Sequence, residues 1–184
     1  MGGSAKALQP LLQRPLISWV VERLRPQVAE VIVSANRDLE RYTEIGDRVV
    51  TDQSADFSGP LAGLQAGLAV ASHEVMVTVP CDAPLLPSDL VARLAFALEE
   101  SGADVAIAST RDQAHPVFCL CKRKMLSSID AFLASGGRKV ALWVSSVAHV
   151  QVTFDDEAQG FVNVNTVEEL RALERKLAGD TPSA

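Results

Sequence analysis

Asn36, Asp52 and Asp82 each lie just past a short apolar run. Side chains of these types at such positions suit the binding of a metal ion or a phosphate. Asp82 is the most informative of the three. It follows Val75-Met76-Val77-Thr78-Val79 and is bracketed by Pro80 and Pro84. A run this rich in valine predicts a strand buried on both faces, the pattern of a parallel sheet. The prolines then end the strand and stiffen the turn around the acid. An acid in a turn often does no more than cap a nearby amide. A carboxylate just past the carboxyl end of a buried strand, however, lies where open α/β sheets bind ligands, so Asp82 is a candidate metal or phosphate residue. Val31-Ile32-Val33 leads similarly to Ser34-Ala35-Asn36, and Arg48-Val49-Val50-Thr51 leads to Asp52. Asp52-Gln53-Ser54 also fits an ordinary turn. In a parallel sheet the three strand ends would share one edge, and their convergence is a stronger signal than any one of them.

Other segments carry weaker signals. Gly59-Pro60-Leu61-Ala62-Gly63 opens a helix predicted to run to about Ala71. Its glycines at 59, 63 and 67 fall near one face and permit close approach of a strand, a helix or a ligand, and its N-terminus suits an anion. Phe161-Val162-Asn163-Val164-Asn165 alternates and predicts a strand with both asparagines on one side. The alternative is that Asn165 helps cap the last helix. Gly136-Gly137-Arg138-Lys139 is a basic turn that matters only if it faces the same cleft. His115 precedes Pro116, has no evident Ser or Cys nucleophile to pair with, and reads as structural. Lys6 by itself makes no claim to function.

The elements that must position these residues alternate in type. Leu16, Ile17, Val20, Val21 and Leu24 repeat at helical spacing behind Pro15. A short helix is expected near residues 38–45, and another after Ser88 and Asp89 with Leu90, Val91, Leu94, Ala95 and Leu98 inward. Strands are expected at 103–108, 116–120 and 149–154, and helices at 125–133 and 140–147. Thr166-x-x-Glu169 is a capping box for a last helix carrying Leu170, Leu173 and Leu177. Such alternation predicts an α/β fold with a mostly parallel, doubly wound sheet. A single domain over 1–178 and a disordered tail over 179–184 are expected.

The bulk composition is compatible with this. The chain has 184 residues, 48% hydrophobic and 22% charged, enough for one α/β domain with a substantial core. A net charge of −6 argues against a broad nucleic-acid or membrane surface. Three cysteines and no secretory segment point to a reducing, cytoplasmic setting. Cys119-x-Cys121 lies in an apolar run without a second ligand pair and reads as buried packing rather than zinc.

Taken in order, Met1-Gly2-Gly3-x-x-Lys6, Gly59-Pro60-Leu61-Ala62-Gly63, Pro80-Cys81-Asp82-x-Pro84, His115-Pro116 and Asn163-x-Asn165-Thr166 resemble the molybdenum cofactor guanylyltransferases. The match runs from residue 1 to about 177. The resemblance implies a Rossmann-like, three-layer nucleotidyltransferase that transfers GMP from GTP to molybdopterin and releases pyrophosphate. It implies that Asp82 holds Mg²⁺ and that Lys6 contacts the GTP phosphates, both as catalytic residues. It places Ser34, Asn36 and Asp52 at the nucleotide, and Arg138, Lys139, Asn163 and Asn165 toward molybdopterin. Cofactor-biosynthesis proteins and apo-molybdoenzymes are the implied protein partners. Related readings are cytidylyl transfer to molybdopterin and a non-catalytic molybdopterin-binding protein. Two departures stand out. Ser34 replaces an asparagine common in the family. The family's first strand and Leu-Ala-Gly-Gly-x-x-x-Arg loop precede Met-Gly, so the expectation is a chain shortened at its start, with the first, central strand of the sheet missing.

Overall fold

The structure, a computed structural model, describes residues 4–52, 59–111 and 113–179. Its elements follow in the order α1 (Ser4–Ala7), β1 (Pro10–Leu11), β2 (Arg14–Pro15), α2 (Leu16–Leu24), β3 (Ile32–Ser34), α3 (Leu39–Thr43), β4 (Arg48–Val50) and α4 (Pro60–Val70). They continue with β5 (Val75–Thr78), α5 (Leu90–Ser101), β6 (Val105–Thr110), β7 (Gln113–Lys122), α6 (Leu126–Ala134), α7 (Val140–Val144), β8 (His149–Thr153) and α8 (Val167–Gly179). A 3-10 segment, Asp155–Phe161, links β8 toward α8. The expected Met1-Gly2-Gly3 motif and all but the first residue of the expected tail lie outside the described residues.

The α/β alternation is present, and β3 pairs with β4 in parallel, as β6 does with β8. The four-stranded sheet runs β5-β7-β6-β8. It is mixed, because β7 is antiparallel to both its neighbours. The departure from a mostly parallel sheet has a local cause. A tight turn joins β6 to β7, with Arg111 at φ 49°, and so short a connection can join only antiparallel strands.

Side chains alternate across this sheet and build two cores. Ala106, Ala108, Phe118 and Leu120 pack with Leu90, Leu94 and Leu98 of α5. Val105, Ile107, Cys119 and Cys121 pack with Leu61, Leu64 and Leu68 of α4, Ile129 and Leu133 of α6 and Trp143 of α7. This period-two partition makes a three-layer sandwich. Cys119 and Cys121 are fully buried, matching the packing reading. A third cluster joins α2, β3 and α3 through Ile17, Val21, Val33 and Tyr42. A fourth docks α8 through Leu170 against Leu11, Leu16 and Val164.

Two strand expectations need correction. β5 is not buried on both faces: Val75 is 45% exposed, and Met76, Val77 and Thr78 are half-buried. Among the described residues β5 pairs only with β7, so it is an edge strand. The Phe161–Asn165 run is not a strand either. It leaves the 3-10 segment as irregular chain, and Val164 N–H donates to the Asp82 carbonyl at 2.9 Å instead of to a ladder.

Candidate active site

Asp82 is positioned by what precedes and follows it. β5 ends at Thr78, and Pro80 and Pro84 keep the next residues out of helix and ladder. Ala83 and Leu86 anchor the turn in the core, both 0% exposed. The Asp82 carbonyl holds Val164, and its carboxylate Oδ2 accepts a hydrogen bond from Lys6 Nζ. The same ammonium donates to Asn165 Oδ1 at 2.7 Å. Lys6 and Asp82 are largely shielded, with side chains 13% and 14% exposed. Three residues far apart in sequence therefore meet around one cation, and such a charge-assisted pair is stronger than a solvated one.

Asn165 is placed by the capping box. Glu169 Oε2 accepts from the N–H groups of Asn165 at 2.6 Å and Thr166 at 3.0 Å, and Glu169 N–H donates to Thr166 Oγ1 at 3.1 Å. These hydrogen bonds, with the backbone of Asn165 first, hold the Glu169 carboxyl below the usual range. The expected box is thus formed, and it fixes the first turn of α8 immediately beside Lys6. Asn163 is half-buried, and among the described residues its Oδ1 has no hydrogen-bond partner. A buried amide oxygen left open is costly unless something else satisfies it, so it is an acceptor available to a ligand.

Asn36 and Asp52 form a second unit at the ends of β3 and β4. Asn36 Nδ2 donates to Asp52 Oδ2 at 2.8 Å, and Asp52 N–H donates to Asn36 Oδ1 at 2.9 Å. The parallel register sets this pair, since Ser34 lies opposite Val50 two residues earlier. Ser34 is exposed beside α4, where a Cβ on Gly63 would come within 3.0 Å of its Oγ. A Cβ on Gly67 would come within 3.1 Å of Met76 on β5. The two glycines therefore let one helix lie close against both sheets. Their spacing is explained by packing.

The basic turn is less connected. Arg138 donates to its own loop, to the Leu133 carbonyl at 2.9 Å and the Gly137 carbonyl at 2.6 Å. Lys139 is exposed at the start of α7. The structure thus brings Lys6, Asp82 and Asn165 together and pairs Asn36 with Asp52.

Cys81 borders Asp82, yet it is poorly suited to act as a nucleophile. Its residue reaches solvent, but the protein packed around the thiol and then the Asp82 carboxylate push its pKa up to about 11. The site therefore offers a carboxylate, an ammonium and amides rather than an activated thiol. Among the described residues no group of three or more His, Cys, Asp or Glu could hold a metal. A lone carboxylate does not make a structural metal cage. It does fit a magnesium ion that takes its remaining ligands from substrate oxygens and water.

A Rossmann-like layer architecture with charge-handling residues past its strand ends is the arrangement of an α/β enzyme that acts on phosphate-bearing ligands. Residues 1–150 match the family described as MobA-like NTP transferase domain. The chain is 48% identical over 181 residues to the molybdenum cofactor guanylyltransferase of Cupriavidus taiwanensis, covering 96% of this chain and 90% of that one. It is 43% identical to the enzyme of the same name from Shewanella putrefaciens, covering 92% and 87%. Among solved structures, molybdopterin-guanine dinucleotide biosynthesis protein A from Archaeoglobus fulgidus superposes with a TM-score of 0.75 at 22% identity, covering 95% and 91%. A methylerythritol phosphate cytidylyltransferase from Thermus thermophilus gives 0.72 at 16% identity, covering 97% and 96%, a likeness of fold alone. The chain belongs to the MobA-like nucleotidyltransferases and, within them, to the molybdenum cofactor guanylyltransferases.

Proposed function

We propose that the chain transfers GMP from GTP to molybdopterin, with Lys6, Asp82 and Asn165 at the centre of the site. The observation that carries this reading is the single ammonium of Lys6 shared between the Asp82 carboxylate and the Asn165 amide. In the reaction, a terminal phosphate oxygen of molybdopterin forms a bond to the α-phosphorus of GTP. The bond to the β-phosphate oxygen breaks, and pyrophosphate leaves with that electron pair. Anions must be brought together, so the protein's work is charge neutralisation and in-line positioning rather than covalent catalysis.

Lys6 moves its charge from Asp82 toward the phosphates when GTP is present. Asp82 would hold Mg²⁺, which would supply Lewis-acid neutralisation of phosphate charge. Ser34 and the Asn36–Asp52 pair serve the nucleotide. Asn163 offers its open amide oxygen to molybdopterin, and Asn165 releases Lys6 and turns to the same substrate. Arg138 and Lys139 complete the molybdopterin side once their loop meets the ligand. Residues 1–178 act as one catalytic unit in the cytoplasm, and the product passes to cofactor-biosynthesis proteins and apo-molybdoenzymes. No helix among the described residues is long and apolar enough to cross a membrane.

The direct test supplies α-labelled GTP or CTP with Mg²⁺ and molybdopterin under anaerobic conditions. Labelled dinucleotide from GTP, with far less from CTP, is the expected result. Preference for CTP would move the assignment to cytidylyl transfer. Tight molybdopterin binding without transfer from either nucleotide would leave a binding protein.

A further inference from the structure

We propose that His115 is a positioning residue for the acceptor side of the site, acting through the ring of Phe161. The proposal rests on the reading above, in which Asn163 and Asn165 meet molybdopterin.

The starting point is an irregularity in β7. Ile107 of β6 lies opposite Cys119, but the next residue, Ala108, lies opposite His115. Pro116, Val117 and Phe118 therefore have no partner on β6. Proline cannot donate to a ladder, so Pro116 belongs at such a bulge. Bulges re-aim side chains, and this one has a measurable effect. In a regular strand residues three apart point to opposite faces. Here the rings of His115 and Phe118 lie 6.1 Å apart, edge to face, and both contact Phe161.

Phe161 is the target of this arrangement. His115 stacks on it at 5.0 Å with planes 22° apart, Phe118 meets it at 4.7 Å, and Phe154 at 5.2 Å. Its residue is only 5% exposed. The imidazole is itself fixed from behind, with Nε2 2.7 Å from Thr110 Oγ1 at the end of β6. Burial lowers the pKa of His115, which favours the neutral imidazole.

The clamp ends where the functional segment begins. Asn163, two residues beyond Phe161, carries the open amide oxygen. Val164 is bonded to the Asp82 carbonyl, and Asn165 accepts from Lys6. Since the segment has no ladder of its own, its path is set at one end by the aromatic clamp and at the other by the cap of α8. His115 contributes to that clamp through its stack on Phe161. Misplacing a positioning group by about 1 Å can cost on the order of a hundredfold in rate, so this fixation matters to the acceptor.

The test compares His115→Ala and His115→Phe in the full chain by amide hydrogen exchange and steady-state kinetics. His115→Ala should speed exchange at Val164 about tenfold, while the β3–β4 amides stay unchanged. It should raise the molybdopterin KM about tenfold and leave the GTP KM within about twofold. His115→Phe keeps the stack and should return both readouts to within about threefold of wild type. Unchanged Val164 exchange in His115→Ala would overturn the proposal. So would faster exchange with an unmoved molybdopterin KM, equal losses for both substrates, or failure of the phenylalanine variant to rescue. Absence of GTP transfer in the wild type would refute the proposed reaction itself, and the exchange measurement would still decide whether the imidazole holds the segment.

Discussion

Lys6 is marked in sequence only by the Met1-Gly2-Gly3 motif before it, yet its ammonium joins Asp82 and Asn165 across 76 and 159 residues. Removing it leaves the shielded Asp82 carboxylate without its cation, which is costly for a group with so little water. Lys6→Met is therefore expected to lower GMP transfer on the order of a hundredfold and to weaken GTP binding. Wild-type turnover by that variant would remove Lys6 from phosphate contact. Cys81 provides the converse case. A thiol whose pKa is pushed up to about 11 is protonated at neutral pH, and its nucleophilic form grows only as pH rises toward that value. Cys81→Ser should retain transfer within about threefold, and iodoacetamide should label Cys81 slowly until strongly alkaline pH. Rapid labelling at pH 7 with loss of activity would contradict the account. The place of Asp82 past a strand was legible because its signal is local, a strand followed by proline. The contact of Lys6 with Asp82 and Asn165 was not, because a long-range ion pair leaves no periodicity to read.

At the scale of elements, short-range chemistry read well and strand environment read poorly. The Thr166–Glu169 box needs only residues three apart, and it is formed as expected. The alternation at Phe161–Asn165 also looked local, but a strand needs a neighbour to pair with. That backbone pairs with the Asp82 turn instead. Likewise the valines of β5 predicted burial on both faces, whereas its sheet position leaves Val75 exposed. Burial depends on which strands flank it, which the run itself does not encode. The cap has a pH consequence. The folded pKa of Glu169 lies below its unfolded value, so its contribution is present above the unfolded pKa and is lost as pH falls through the folded one. Acidification through that range should fray the start of α8 and free Asn165, seen as faster exchange of the Thr166 and Asn165 amides. Glu169→Gln should weaken this acid response. An unchanged acid response in that variant would show that Glu169 does not control the cap.

At the scale of the molecule, two cores flank one sheet, and both must hold for the strand ends to keep their places. Trp143 fills the core on the α4, α6 and α7 side, is 0% exposed, and donates its indole N–H to Ser128 Oγ at 3.2 Å. Trp143→Ala should cost about 3–5 kcal/mol, a fall in Tm of roughly 6–20 °C for a chain of this size. A change under about 1 kcal/mol would mean that this core does not bear on stability as described. The overall α/β class was legible because alternating periodicities survive in any topology. The antiparallel placement of β7 was not, because it depends on one tight turn at Arg111. The central claim is that the Asp82 carboxylate, held past β5 and shared with Lys6, drives metal-dependent GMP transfer. The most direct measurement is dinucleotide formation from GTP and molybdopterin by wild type and Asp82→Asn across a Mg²⁺ titration, with Tm recorded for both. The account predicts saturable Mg²⁺ dependence in the wild type and a loss on the order of a hundredfold or more in the variant, with Tm within a few degrees. Equal turnover and equal Mg²⁺ dependence in the two proteins would contradict it.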